Sequence, residues 1–470
     1  MFISNFFNST SFNPFILFGA CILSFQISAQ QVSKKDILID LEYLKASLEE
    51  THIDLYAYTS KQAFDQNYTE VRNQIKDDSL SFPEVLKLFQ KVISKANNAH
   101  TRIEFSDYVE PYRTYAYSDG TLFPLEVAIE DGKALIRKNW SNNTHIKIDA
   151  ELKSINGMSI NEVFEKIYPQ ISAERLYFKN AQLEAFSLPR YYWLVFGEED
   201  KFKVEIIQNG HSTIHTLEPI KALDDYEFKR NEILKEDWNI KFLSPSSVYL
   251  RPGKFGGDDV NFQRFIDSAF VEIKANKCEN LIIDLRNHSG GDNSFSDYLV
   301  SYIADKPFKW TSEFKLKTSA LLKEDVKKYR DTTQAFWNSA LAHKNGEIYT
   351  YNFELYEPQP LEKRYQGEVY VLVNRQSYSQ STVAAAQIQD YGFGKIVGEE
   401  TAEYPNLLAS IFTYTLPKTK IKVDIPKGKI QRTSGFENKK GVIPDIIIID
   451  HLLDETDEIL DELLKKINLE

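Results

Sequence analysis

Val369-Tyr-Val-Leu-Val-Asn-Arg-Gln-Ser-Tyr-Ser-Gln-Ser-Thr-Val-Ala-Ala-Ala386 passes directly from an apolar, β-branched run into a small-residue stretch. Val369–Val373 predicts a buried strand and Thr382–Gln389 an amphipathic helix. The serines between them therefore occupy a sharp strand-to-helix turn of an α/β core. A hydroxyl there faces the positive end of the helix, where unpaired backbone N–H groups stabilise an oxyanion. Ser377, Ser379 and Ser381 are all candidate nucleophiles on the residues of this turn. Serines also cap helices for purely structural reasons, so the assignment depends on other segments.

The second segment is Leu281-Ile-Ile-Asp-Leu-Arg-Asn-His-Ser-Gly-Gly-Asp292, a buried strand running into a double-glycine turn. Glycine lets the backbone aim an N–H at a ligand. The N–H of Gly290 or Gly291, paired with that of the residue after the nucleophile (Gln380 if the nucleophile is Ser379), would make a two-donor oxyanion hole. The ordinary alternative is a turn that simply needs glycine. Upstream, Ser81-Phe-Pro-Glu84 predicts a capping box, and Val85, Leu88, Phe89 and Val92 form an apolar helical stripe. Asn97 and Asn98 suit the end of that helix, which leaves His100 in a loop at the edge of a rigid element, a place for a general base. Near the C-terminus, Glu437 precedes Gly441-Val-Ile-Pro-Asp445 and is either the carboxylate that orients the imidazole or one charge in a solvated turn.

Taken together, these segments resemble family S41 of serine peptidases, which includes the C-terminal processing proteases and the core of the tricorn protease. The resemblance rests on Asp284, Leu285, Arg286, Gly290 and Gly291, on Ser379 within S-x-S-x-S, on His100-Thr101, and on Gly441, Val442, Pro444 and Asp445. It implies an α/β fold with a ClpP/crotonase-like catalytic core, and His288 stands where the family usually has Asn. The processing proteases use a Ser-Lys dyad, but Tyr404 in Gly398-Glu-Glu-Thr-Ala-Glu-Tyr404 stands where that lysine belongs. Without the lysine that mechanism has no base. The resemblance is then to the relatives that use Ser, His and Glu, and it implies Ser379 as nucleophile, His100 as base and Glu437 as orienting acid. His288 is a competing base, and Asp390, at a helix end, is expected to be structural.

The chain has 470 residues and a net charge of −12, which predicts several domains and argues against nucleic acid or an anionic membrane as partner. Residues 1–29 carry no charged side chain, and Phe15–Phe25 is an apolar core, so a cleaved secretion signal and a periplasmic or secreted location are expected. Cleavage leaves only Cys278, so no internal disulfide is expected. Residues 30–104 predict a helical domain. Residues 105–225 predict short strands, and Ala150–Phe164 within them resembles a PDZ-like module of the kind that captures peptides by strand addition. Residues 226–452 form the expected core, with 306–366 as a rim or lid insertion, and 453–470 end in an amphipathic helix. His211 and His215 fall in a strand, there is no zinc signature, and neither metal nor cofactor is expected. The expected activity is serine endopeptidase action on peptides or unfolded proteins. The alternative is a catalytically silent S41-like protein that binds a peptide or apolar ligand.

Overall fold

The computed structural model describes residues 31–234 and 237–467; the expected secretion signal lies outside them. The N-terminal region folds as α1 (Lys34–Thr51), α2 (Lys61–Gln74) and α3 (Phe82–Ile93). Its caps follow the local chemistry: Asp36 N–H donates to Ser33 Oγ at 3.1 Å, and Ser81 N–H donates to Glu84 Oε2 at 2.8 Å. The apolar stripes of α1 and α3, including Ile37, Leu41, Leu44, Val85, Phe89 and Val92, are buried. Beyond α3, Asn97 takes φ 50°, a left-handed conformation that asparagine tolerates better than most residues, and it turns the chain toward His100.

The next segment departs from expectation. Phe105–Tyr117 is a helix, α4, where short strands are predicted from 105 onward. Tyr112 and Tyr115 pack on the Trp193 ring, with centroids 5.2 and 4.8 Å apart. Packing on one face of the segment thus outweighs the strand preference of its aromatic residues. The β-rich region follows as β1 (Leu125–Glu130), β2 (Lys133–Asn139), β3 (Glu151–Ile155), β4 (Phe202–Gln208) and β5 (His211–Leu217), in the order β5-β4-β3-β2-β1. Asn156 and Gly157 turn the chain after β3 and α5 (Ile160–Ile167) follows, as the sequence predicts. The stretch before β4 is also helical: α6 (Leu176–Glu184) and α7 (Leu188–Phe196) pack along β1. Ile129 N–H of β1 donates to Glu184 Oε1 at 2.5 Å, and Leu188 N–H donates to Glu126 Oε2 at 3.3 Å. The region closes with the short helix α8 (Phe228–Ile233).

Two sheets then interleave along the chain. In order come β6 (Asn239–Phe242), β7 (Ser247–Arg251), α9 (Asp259–Ala275), β8 (Asn280–Asp284), α10 (Asn293–Ser301), β9 (Glu313–Lys317), α11 (Ala320–Tyr329), α12 (Ala335–Ala342) and β10 (Ile348–Thr350). They are followed by β11 (Glu368–Val373), α13 (Gln380–Tyr391), β12 (Lys395–Gly398), β13 (Leu407–Thr415), β14 (Lys422–Gln431), β15 (Ile446–Ile447) and α14 (Glu458–Ile467). The core sheet has the order β6-β7-β8-β11-β12-β15 and is parallel from β7 to β15. Its inner strands β7, β8, β11 and β12 are largely buried on both faces. Leu281 and Ile283 face the helices α9, α10 and α13, whereas Ile282, Tyr370 and Val397 face Ile459 and Leu463 of α14.

The second sheet has the order β10-β9-β14-β13. Strands β9 and β10 come from the 306–366 insertion, which therefore does not stand apart as a lid or rim. Phe314, Leu316 and Leu322 share one apolar cluster with α1, α3 and β13–β14. The apolar residues of the insertion are buried together with those of the N-terminal helices.

Candidate active site

The two motifs of the sheet's C-terminal edge are stitched together before any chemistry is considered. Asn287 N–H donates to Asn374 Oδ1 at 3.0 Å, and Asn374 Nδ2 donates to Asn287 Oδ1 at 2.9 Å. This pair ties the end of β8 to the end of β11. Ser377 Oγ donates to Leu285 O at 2.7 Å and accepts Asn374 N–H at 3.1 Å. Ser377 is thus a buried turn residue, and Ser381 is buried inside α13.

Ser379, the remaining serine, is partly exposed just before α13 and has φ 57°, ψ −131°. A non-glycine residue in that region is strained and persists only where its surroundings enforce it. Gly290 makes room for the turn: a Cβ on Gly290 would lie 2.5 Å from Gln380 N and 2.8 Å from Ser379 Cβ.

His100 reaches this hydroxyl from the other side of the chain, with Nε2 3.1 Å from Ser379 Oγ. Its loop is fixed by buried polar contacts. Thr101 Oγ1 donates to Asn98 Oδ1 at 2.7 Å, so His52 Nε2, 2.9 Å from Thr101 Oγ1, is the donor in that second contact. The other ring nitrogen of His52 accepts Asp54 N–H at 3.0 Å, and burial pushes this neutral imidazole down to about 3.

The carboxylate beside His100 is Glu403, not Glu437. Glu403 Oε1 lies 3.1 Å from His100 Nδ1, and Glu403 Oε2 accepts Ser379 N–H at 2.6 Å. The 3.1 Å contact is an ion-pair approach and not a well-aligned hydrogen bond, so both atoms lack a hydrogen-bond partner among the described residues. Glu403 is 1% exposed and His100 11%. Burial by itself depresses the imidazole, but the charge and close approach of Glu403, with the charge of Glu174, outweigh it and raise the His100 pKa. With Nδ1 protonated toward Glu403, Nε2 offers its lone pair to the Ser379 hydroxyl.

Glu437 is exposed on the β14–β15 loop and lines a cleft with Glu313, Lys315 and Lys429. It makes no hydrogen bond or ion pair with His100. Glu399, Glu400 and Glu403 share one short loop with Tyr404, and no local sequence pattern distinguishes the three carboxylates. Their environments separate them. Glu399 faces Arg375, Glu400 accepts from Arg175 and from Gly441 N–H, and Glu403 faces the imidazole.

Of the three expected oxyanion donors, one is engaged. Gly290 N–H donates to His288 Nδ1 at 2.9 Å, while His288 Nε2 donates to Gly253 O at 2.6 Å. Both nitrogens of His288 are therefore used within the turn. Burial depresses it to about 4, which keeps it neutral and removes it as a competing base. The N–H groups of Gly291 and Gln380 have no hydrogen-bond partner among the described residues. Gly291 cannot carry a side chain, since a Cβ would fall 1.8 Å from Phe255 O. Asp390 is anchored to Arg432, Thr433 Oγ1 and Ser434 N–H, a structural role.

Comparison with known proteins follows the same outline. Residues 247–448 match Peptidase family S41. A tail-specific protease of Haemophilus influenzae is 24% identical over 257 residues, which cover 53% of this chain and 30% of that protein; the match thus spans under a third of that relative. Among solved structures, mature CPAF complexed with lactacystin superposes with a TM-score of 0.66 at 15% identity, covering 92% of this chain and 97% of the other. Mature CPAF gives 0.65 at 15% identity, covering 92% and 96%. Likeness at that identity speaks to the fold alone.

Proposed function

We propose that this chain, whose core belongs to peptidase family S41, is a serine peptidase that cleaves peptides or unfolded proteins through Ser379, His100 and Glu403. The observation that carries the reading is the 3.1 Å approach of His100 Nε2 to Ser379 Oγ across 279 residues of sequence. Ser379 Oγ attacks the peptide carbonyl carbon as its proton passes to His100 Nε2. The resulting imidazolium is stabilised by Glu403, and the proton is returned to the leaving amine. The carbonyl oxygen, now negative, is received by the N–H groups of Gly291 and Gln380. Glu403 adds one feature of its own: by accepting Ser379 N–H it occupies that amide and fixes the strained turn, so the oxyanion donors are drawn from the neighbouring residues. Water then attacks the acyl-enzyme, giving its proton to His100, which returns it to Ser379 Oγ as the ester bond breaks and the acid product leaves.

Endoproteolytic action, and a periplasmic or secreted setting supported by the uncharged apolar Phe15–Phe25 stretch, belong to the same proposal. The β-rich region reads as PDZ-like from its strand, Asn-Gly turn and helix. The outer edge of β1 is engaged by Glu184 and lies under α6 and α7, so strand addition of a peptide is closed at that edge of the sheet. The test is covalent labelling by a fluorophosphonate probe together with hydrolysis of unfolded casein. Both should occur in the wild-type protein and disappear in Ser379→Ala. Labelling that persists undiminished in Ser379→Ala excludes the assignment.

A further inference from the structure

The base and the acid of the proposed triad lie on separate loops, and one short segment holds both. Ser172-Ala-Glu-Arg175 enters between the His100 loop and the Glu403 loop. Ser172 Oγ donates to Thr101 O at 2.7 Å. Arg175 donates to Ala402 O at 2.9 Å and Thr401 O at 2.8 Å, and pairs with Glu400 at 2.6 Å. Between them, Glu174 Oε1 accepts Ala99 N–H at 2.9 Å and Asn98 Nδ2 at 3.0 Å, immediately before His100. The second oxygen of Glu174 is buried and has no hydrogen-bond partner among the described residues.

A buried carboxylate with an unused oxygen is costly unless its position serves something. We propose that Glu174 is a positioning residue for the catalytic base: its carboxylate fixes the Asn98–Ala99 backbone that presents His100 and places a second negative edge beside the imidazole. This rests on the Ser379–His100–Glu403 reading and adds to it. Glu174 does not reach the reacting atoms; it acts through the loop and through its charge.

The electrostatics agree with the geometry. The groups that act on His100 are Glu403, Glu174 and Arg102, and those that act on Glu174 are Glu403 and His100, with Tyr58 and Tyr404 feeling its charge. Burial, followed by the Glu403 charge, pushes the Glu174 carboxyl up, against the opposing hydrogen bond from Ala99 N–H. Its negative charge in turn helps raise the His100 pKa, so removing the charge must lower it.

The test uses the full chain with isotope-labelled histidine, following the His100 ring by NMR titration in the wild type, Glu174→Gln and Glu174→Ala. Glutamine keeps an acceptor for Ala99 N–H but not the charge, so the His100 titration should move to lower pH in Glu174→Gln. Glu174→Ala also frees the loop and should slow fluorophosphonate labelling at the alkaline plateau by about tenfold to a hundredfold, the scale expected of a misplaced base. A His100 titration in Glu174→Gln that coincides with the wild type overturns the proposal, however the alanine variant folds. A wild-type protein that does not label would instead count against the peptidase reading, while leaving the titration to decide the role of Glu174.

Discussion

Glu399, Glu400 and Glu403 are chemically alike, and only the course of one loop decides which of them meets an imidazole. That course is set by contacts from elsewhere. Val442 N–H donates to Thr401 Oγ1 at 2.9 Å, and Gly441 lies so close that a Cβ there would be 2.0 Å from Thr401 O. None of these contacts is visible as a local pattern, whereas Ser379, His100 and the double glycine stand at junctions that periodicity and turn chemistry mark. Replacing Glu403 by Gln keeps an acceptor for Ser379 N–H but removes the charge that steadies the imidazolium. Hydrolysis should fall about 10²–10⁴-fold. Glu437→Gln should remain within about twofold of wild type; steady-state kinetics on one peptide substrate compares the two.

Residue-level titration also reaches stability. His288 is 4% exposed and held neutral at about 4 against an ordinary 6.5. Because the folded value is the lower one, the unfolded chain takes up the proton first. The contribution is present above about pH 6.5 and is lost as pH falls toward 4, on the order of 3 kcal/mol at most. His288→Asn removes this titration, so its Tm should drop less between pH 7 and 4.5 than that of the wild type. Equal drops in a thermal melt would assign the acid sensitivity to other groups.

At the scale of elements, the nucleophile turn is shaped less by its own residues than by the neighbouring turn pressed against it. Tyr378 N–H donates to His288 O at 3.2 Å, and Gly290, at φ 84°, leaves no room for a methyl group beside Gln380 N. Gly290→Ala should therefore cost about 2–4 kcal/mol in overpacking and backbone strain and should abolish labelling. A variant that melts like the wild type and labels at the same rate would show that the elbow holds itself. The strands and helices that build this junction follow from the sequence because their apolar period is strong and local. Elements whose state is set by distant partners do not follow: α4 is helical because its tyrosines meet Trp193, and the 306–366 insertion joins a sheet because its apolar residues meet α1 and α3.

Across the whole molecule, one of the junctions between the β-rich region and the core is a buried guanidinium, four residues before the nucleophile. Arg375 is 2.5 Å from Glu130 of β1, 3.0 Å from Glu184 of α6 and 3.5 Å from Glu399 of the core. One cation thus faces three carboxylates from two regions. Burial drives Glu184 up to about 7 even with the Arg375 charge opposing it. A hydrophobic contact of the same size would join the two regions at less desolvation cost, so the ion cluster is better understood as fixing their relative placement. Arg375→Ala strands the carboxylates and should destabilise the chain by about 3–5 kcal/mol in urea unfolding. Adding Glu184→Gln removes one of the carboxyl groups left without its partner and should restore part of that loss, a coupling that a double-mutant cycle measures directly. Strictly additive effects would mean that Arg375 and Glu184 act independently. If the cluster does place the regions, Arg375→Ala should also slow Ser379 labelling under conditions where the variant is still folded, because the disturbed backbone runs straight into the nucleophile turn.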